Sequence, residues 1–263
     1  MSTHVSRACG SLVLLAPLLT ALHAPRADAD SVTVAVASNF IAPLAALERR
    51  FEADSGHELT VVAGSTGQLY AQIKNGAPFD VFLSADQEHP EMLIANGFGD
   101  GTTRLTYAVG RLALWTRDAD KLAPLALDSL RRTDYRWLAI ANPELAPYGL
   151  AAQQALEKLG LWDTLQPRIV RGENIAQTFG MAETRNADLA FVALSQAVAY
   201  AKPAAYVEIP AELYEPIRQD AILLTRARSN AAALAFLAFL QTAEARELIE
   251  RFGYAAPKAP AAP

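Results

Sequence analysis

The chain has almost no cysteine: one in 263 residues, Cys9, near the amino terminus. Beyond it there is no thiol to form a disulfide, ligate a metal or act as a nucleophile. Histidine is nearly as scarce, and the four present (His4, His23, His57 and His89) have no metal-ligand spacing. There is no Gly-x-Ser-x-Gly elbow, no P-loop and no dinucleotide glycine motif. Carboxylates such as Asp80, Asp86 and Asp188 stand without an evident acid/base partner. These absences argue against an enzyme, and they imply no cofactor. An excess of basic charge is missing too. With 23 Lys and Arg against 28 Asp and Glu, the formal charge of −5 speaks against a nucleic-acid or anionic-membrane surface.

No apolar run is long enough for a bilayer span. The longest, Ala8 to Ala24, carries Pro17 and His23 and follows Arg7. With Ala27-Asp28-Ala29 as an A-x-A cleavage site before Asp30, residues 1–29 read as a secretion signal. Cys9 lacks the leucine and small residue of a lipoprotein site, so the mature chain is expected to be exported, soluble and free of thiols.

What the chain does have is alternation. From Ser31 onward, short β-branched runs such as Val32–Ala37, Leu59–Val62, Trp137–Ala141 and Leu189–Val192 alternate with helical patterns. The helical patterns include Ile41–Ser55, Gln68–Lys74, Gly149–Leu159, Asn174–Thr184 and a long last one, Asn230–Phe252. This is the signature of an α/β protein with largely parallel sheets. One unit finishes near Tyr107–Gly110, and the last helix lies too far on to belong only to the second. The expected organisation is lobe I of residues 30–109 plus 225–263 and lobe II of residues 110–224, joined by two crossovers. The Ala/Pro tail from Ala255 is expected to fray.

Two loops stand out. Ser38-Asn39 follows Val32–Ala37, and Gly64-Ser65-Thr66-Gly67 follows Leu59–Ala63; each opens a helix. A helix N-terminus presents unpaired N–H groups and partial positive charge, so it holds an anion without a basic residue. Serine at that place either caps the helix or donates its own hydrogen bond to an oxyanion. Two such ends in one cleft make an uncharged cradle.

The run Gly64–Ile73, followed by Asn75-Gly76-Ala77-Pro78-Phe79-Asp80-Val81-Phe82-Leu83-Ser84-Ala85-Asp86, resembles the periplasmic molybdate-binding proteins of bacterial ABC importers. Ala37–Phe40, Asn142-Pro143-Glu144, Pro147-Tyr148-Gly149 and Leu159–Asp163 extend the likeness over essentially the whole mature chain. The resemblance implies a type II periplasmic binding protein fold, a periplasmic location, and a monomer serving an inner-membrane ABC permease. It also implies a dehydrated tetrahedral dianion, molybdate or tungstate, held by neutral donors with no direct metal ligand. Carried over by position, Ser38 and Asn39 supply the first loop, Ser65 the second, Tyr148 a phenol from the other lobe, and Ile175 a backbone N–H. Ala193 stands where some members have a tyrosine, which groups this chain with those using Asn39 and Tyr148. Asp86 is expected to cap a helix and stay off the anion. The alternatives are another tetrahedral oxyanion such as sulfate, or an exported enzyme on the same fold.

Overall fold

The computed structural model describes residues 30–257, so the expected signal and Cys9 lie outside the described residues. Strand β1 (Ser31–Ala37) leads through a short 3-10 turn, Ser38–Phe40, into α1 (Ile41–Ser55). Then come β2 (Glu58–Gly64), α2 (Thr66–Lys74), β3 (Val81–Leu83), α3 (Glu88–Ala95) and β4 (Gly99–Gly110). The second unit holds β5 (Leu112–Thr116), β6 (Leu138–Ala141), α4 (Pro147–Lys158), α5 (Trp162–Leu165), β7 (Ile169–Gly172) and α6 (Ile175–Glu183). It continues with β8 (Leu189–Ala193), α7 (Leu194–Ala199) and β9 (Ala205–Glu208). The chain returns through β10 (Ile217–Leu224) and ends on α8 (Ala231–Phe239) and α9 (Ala243–Arg251).

Two five-stranded sheets result, ordered β2-β1-β3-β10-β4 and β7-β6-β8-β5-β9. Both are mixed where largely parallel sheets were expected. In the first, β1 pairs parallel with β2 and β3, while β10 runs antiparallel to β3 and β4. In the second, β6 pairs parallel with β7 and β8, while β5 runs antiparallel to β8 and β9. Helices cover both faces, which is why β1, β6 and β8 read as continuous apolar runs. Helix α1 shows the local logic. Leu44, Leu47 and Phe51 recur at helical spacing and are buried against the first sheet. The helix then stops where Gly56 takes φ +74° and returns its N–H to Glu52 O.

Three expectations need correction. Strand β10 pairs along Ile217↔Gly110 within the first sheet, so the return crossover lies between Glu208 and Ile217 and not at 224. Its first half carries Gln219 and Asp220, polar residues that hide a buried strand from an apolar pattern. The long last helix is two. Thr242 caps α9 by accepting the Ala245 N–H, and its hydroxyl donates back to Phe239 O, so local side-chain bonding divides the run. Ala255 is not frayed: it bridges to Val109 through two backbone hydrogen bonds.

Candidate functional site

Strands β1, β2, β6 and β7 end at the cleft between the sheets, and each leads into a helix start. Ligands of open α/β sheets sit at such carboxyl ends. Here the starts of α2, α4 and α6, with the turn before α1, surround one small cavity. Ser38, Asn39, Ser65, Thr66, Tyr148 and Ile175 line it, together with alanine, glycine and proline. The structure thus brings all five residues expected at the site to one place. Among the described residues, no charged side chain lines the wall. The cavity is small, about 190 Å³ of empty space with its mouth included.

Each residue arrives by a local rule. Ser65 is the N-cap of α2: its Oγ accepts the Gln68 N–H at 3.3 Å while Gln68 Oε1 accepts the Ser65 N–H, a capping box. The cap uses an Oγ lone pair and leaves the hydroxyl proton free to donate. Ser38 does not cap its own helix. Its Oγ accepts the Ala176 N–H of α6 and donates to Asn174 Oδ1, both at 3.3 Å, and so ties the first lobe to the second. Asn174 caps α6 through the Gln177 N–H, which leaves the Ile175 N–H at the helix start without a partner among the described residues. Gly67 N–H to Leu145 O, 3.0 Å, is a second bond across the cleft.

Asn39 and Tyr148 differ from expectation. The Asn39 amide points behind the cavity, where Nδ2 donates to Gln219 Oε1 and to the Tyr254 hydroxyl, both at 2.9 Å. The Tyr148 phenol accepts from Gln219 Nε2 at 3.1 Å in the same buried network, although Gln219 does not line the cavity. What Tyr148 has free at the start of α4 is its backbone N–H, unpartnered among the described residues. Tyr107 donates towards Ser84 O and Gln219 Oε1, and the Tyr254 and Ser195 hydroxyls both reach Asn39 O at 2.9 Å. Sequence reading missed Gln219, Tyr107, Tyr254 and Ser195. The one available signal was a pair of polar residues, Gln219-Asp220, just ahead of an apolar strand. Asp86 is not at the cavity: its carboxylate accepts the His89 N–H and pairs with His89 Nδ1 at 2.7 Å. His89 is therefore partly buried and paired.

Burial pushes the Tyr107 and Tyr148 phenols well above their ordinary value, and Tyr254 up to about 12. Neighbouring tyrosines add to the shift at Tyr148, and hydrogen bonding with Ser195 and Asn39 opposes it at Tyr254. A free phenol ionises near pH 10, so the folded chain holds these protons where the unfolded chain releases them. Their stabilisation is full below about pH 10 and is lost as the pH rises towards about 12. Denaturant midpoints should therefore be flat from about pH 7 to 9 and fall from 10 to 12, with a shallower fall in Tyr254→Phe. An equal slope in that variant would remove Tyr254 from the account.

A family model described as bacterial extracellular solute-binding protein matches residues 32–255. The chain is 43% identical over 247 residues to the molybdate-binding protein ModA of Azotobacter vinelandii, covering 92% of this chain and 96% of that one. It is 42% identical over 228 residues to the ModA of Rhodobacter capsulatus, covering 87% and 89%. The solved structure of the Azotobacter vinelandii periplasmic molybdate-binding protein is similar at a TM-score of 0.82 and 38% identity, covering 86% of this chain and all of that one (100%).

Proposed function

The chain belongs to the bacterial extracellular solute-binding proteins, and from that premise we propose that it captures molybdate, with tungstate, in the interlobe cavity and delivers it to an inner-membrane ABC permease. It acts in the periplasm as a monomeric carrier and not as an enzyme; molybdate is cargo, not cofactor. The observation that carries the reading is the convergence of helix starts and serine hydroxyls on a small cavity whose wall holds no charge. Relatives at 42% and 43% identity that are named for molybdate give the ligand.

A dehydrated dianion needs donors and no acceptors. The donors are the Ser65 hydroxyl, the Ser38 hydroxyl once it turns from Asn174 Oδ1 to the anion, the backbone N–H groups of Asn39, Tyr148 and Ile175, and the positive ends of the helix dipoles. Preorganised dipoles in a closed, water-poor cleft do the task of a counter-charge. Selectivity against sulfate follows from size, because a cage set for longer metal–oxygen bonds under-contacts the smaller ion. Each hydrogen bond lost to a charged group costs about 1.5–3 kcal/mol.

Calorimetric titration with molybdate, tungstate, sulfate and phosphate in parallel tests the reading. Tight one-to-one binding of the first two and none of sulfate is expected. Since no donor titrates near neutrality, affinity should vary little between about pH 6 and 9. Heat from sulfate alone, or a steep pH dependence, would discard the ligand or the donor set.

A further inference from the structure

We propose that Gln219 is the positioning residue that couples the two lobes around the anion. This rests on the anion-binding reading of the cavity and extends it to a side chain outside the wall. Gln219 is fully buried on β10, beside a register shift between Gln219 and Asp220. Such irregularities re-aim side chains, and here the amide is aimed at both halves of the site. Its Oε1 accepts from Asn39 Nδ2 at 2.9 Å, the loop of the first lobe. Its Nε2 donates to the Tyr148 hydroxyl at 3.1 Å, the helix start of the second lobe. One planar group thus holds a residue of each lobe that lines the cavity.

The surroundings fit a coupling role. The amide lies against Gly110, at the outward crossover between β4 and β5: a Cβ there would come within 2.7 Å of Gln219 Nε2 and 2.9 Å of Tyr148 Cζ. The network is therefore placed at the hinge, where a short displacement of one lobe changes the Tyr148–Gln219 distance. Tyr107 donates to the same Oε1 at 3.0 Å, so the amide cannot turn over without losing two acceptor contacts on the first-lobe side. Opening costs the bond to Tyr148. Closure restores it and sets the Tyr148 backbone N–H opposite Ser38 and Ser65.

The test compares the wild-type chain with Gln219→Met, Tyr148→Phe and the double variant. Spin or dye labels are attached at Lys74→Cys and Glu144→Cys, exposed positions of opposite lobes. Molybdate is the ligand probe, followed by stopped flow and by the distance between labels. Gln219→Met should raise the molybdate dissociation rate about tenfold, equivalent to about 1.4 kcal/mol, with association little changed. Labels should also stay apart in a larger fraction of molecules. Tyr148→Phe should do the same, and the double variant should do no more than either, since both remove one coupling. A general loss of packing would lower the melting temperature without this non-additivity. Dissociation within twofold of wild type, or additive effects, would overturn the proposal. If Gln219→Met does not fold, Tyr148→Phe carries the same comparison from the other end of the bond. If the wild type ignores molybdate, the ligand reading fails by itself. The ligand-free label distances of wild type and variants then judge Gln219: a wider separation in the variants upholds it and equal separation overturns it.

Discussion

Ser65→Asp should abolish molybdate binding while the chain still folds. Aspartate is as good an N-cap as serine, accepts the same Gln68 N–H, and gains from the positive end of α2. Ser65 is 2% exposed, so desolvation of the carboxylate offsets that gain, and the net change in stability should stay within about 2 kcal/mol. The anion fares worse. Two unit charges about 4 Å apart repel by about 4 kcal/mol at an effective dielectric near 20, and a dianion doubles that. Even after screening, the loss should exceed about a thousandfold, or about 4 kcal/mol. Ser65→Ala is the contrasting variant. It gives up the cap, about 1 kcal/mol of stability, and one charge-assisted hydrogen bond, about tenfold to a hundredfold in affinity. Calorimetry with molybdate beside a thermal melt separates the two effects. Aspartate at 65 with affinity within tenfold of wild type would show that this hydroxyl does not face the anion.

That contrast also explains why the site was half legible from sequence. Ser65 has one place to be: after a strand, between two glycines, at the start of a helix, where its Oγ must cap and its proton is left to donate. Helix α1 was equally readable, its bounds Ile41–Ser55 set by the 44–47–51 spacing and the Gly56 stop. Side-chain direction was not readable. Asn39 and Tyr148 reach the cavity as expected, yet their amide and phenol turn into a network whose other members come from β4, β10, α7 and the stretch after α9. No local pattern announces partners 180 or 215 residues apart. Strand β4 escaped for a related reason. Its run Gly-Asp-Gly-Thr-Thr-Arg has turn composition, and it becomes a strand because β10 lies alongside and Thr103, Arg104 and Thr106 bond to that strand. Asp220, almost fully buried, is satisfied by Arg104, Thr106 and Gln87, so a charge in mid-strand is tolerated. Tertiary pairing decided these elements, and propensity did not.

A neutral cavity in an acidic protein makes backbone placement the main determinant of affinity, and Gly149 is where that dependence is most exposed. Helix α4 begins at Pro147, whose missing N–H is no loss at a first helical position. Two residues on, Gly149 presses against the end of β6. A Cβ there would lie 2.7 Å from Ala141 C and 2.9 Å from Asn142 C, and nearer still to Ala141 O. These are backbone atoms at the end of β6 and just past it, and they cannot swing aside as a side chain would. Gly149→Ala must therefore push the start of α4 away from the sheet, and the Tyr148 N–H moves with it. Overpacking of this kind costs about 1–3 kcal/mol in stability. The affinity loss should be larger in proportion, about a hundredfold, because the displaced N–H and dipole serve the anion directly. Leu150→Ala, the next position and 46% exposed, should leave stability and affinity within about 0.5 kcal/mol of wild type. Paired melting and titration of the two variants decide the matter. Wild-type affinity in Gly149→Ala would mean that the start of α4 supplies no donor to the anion.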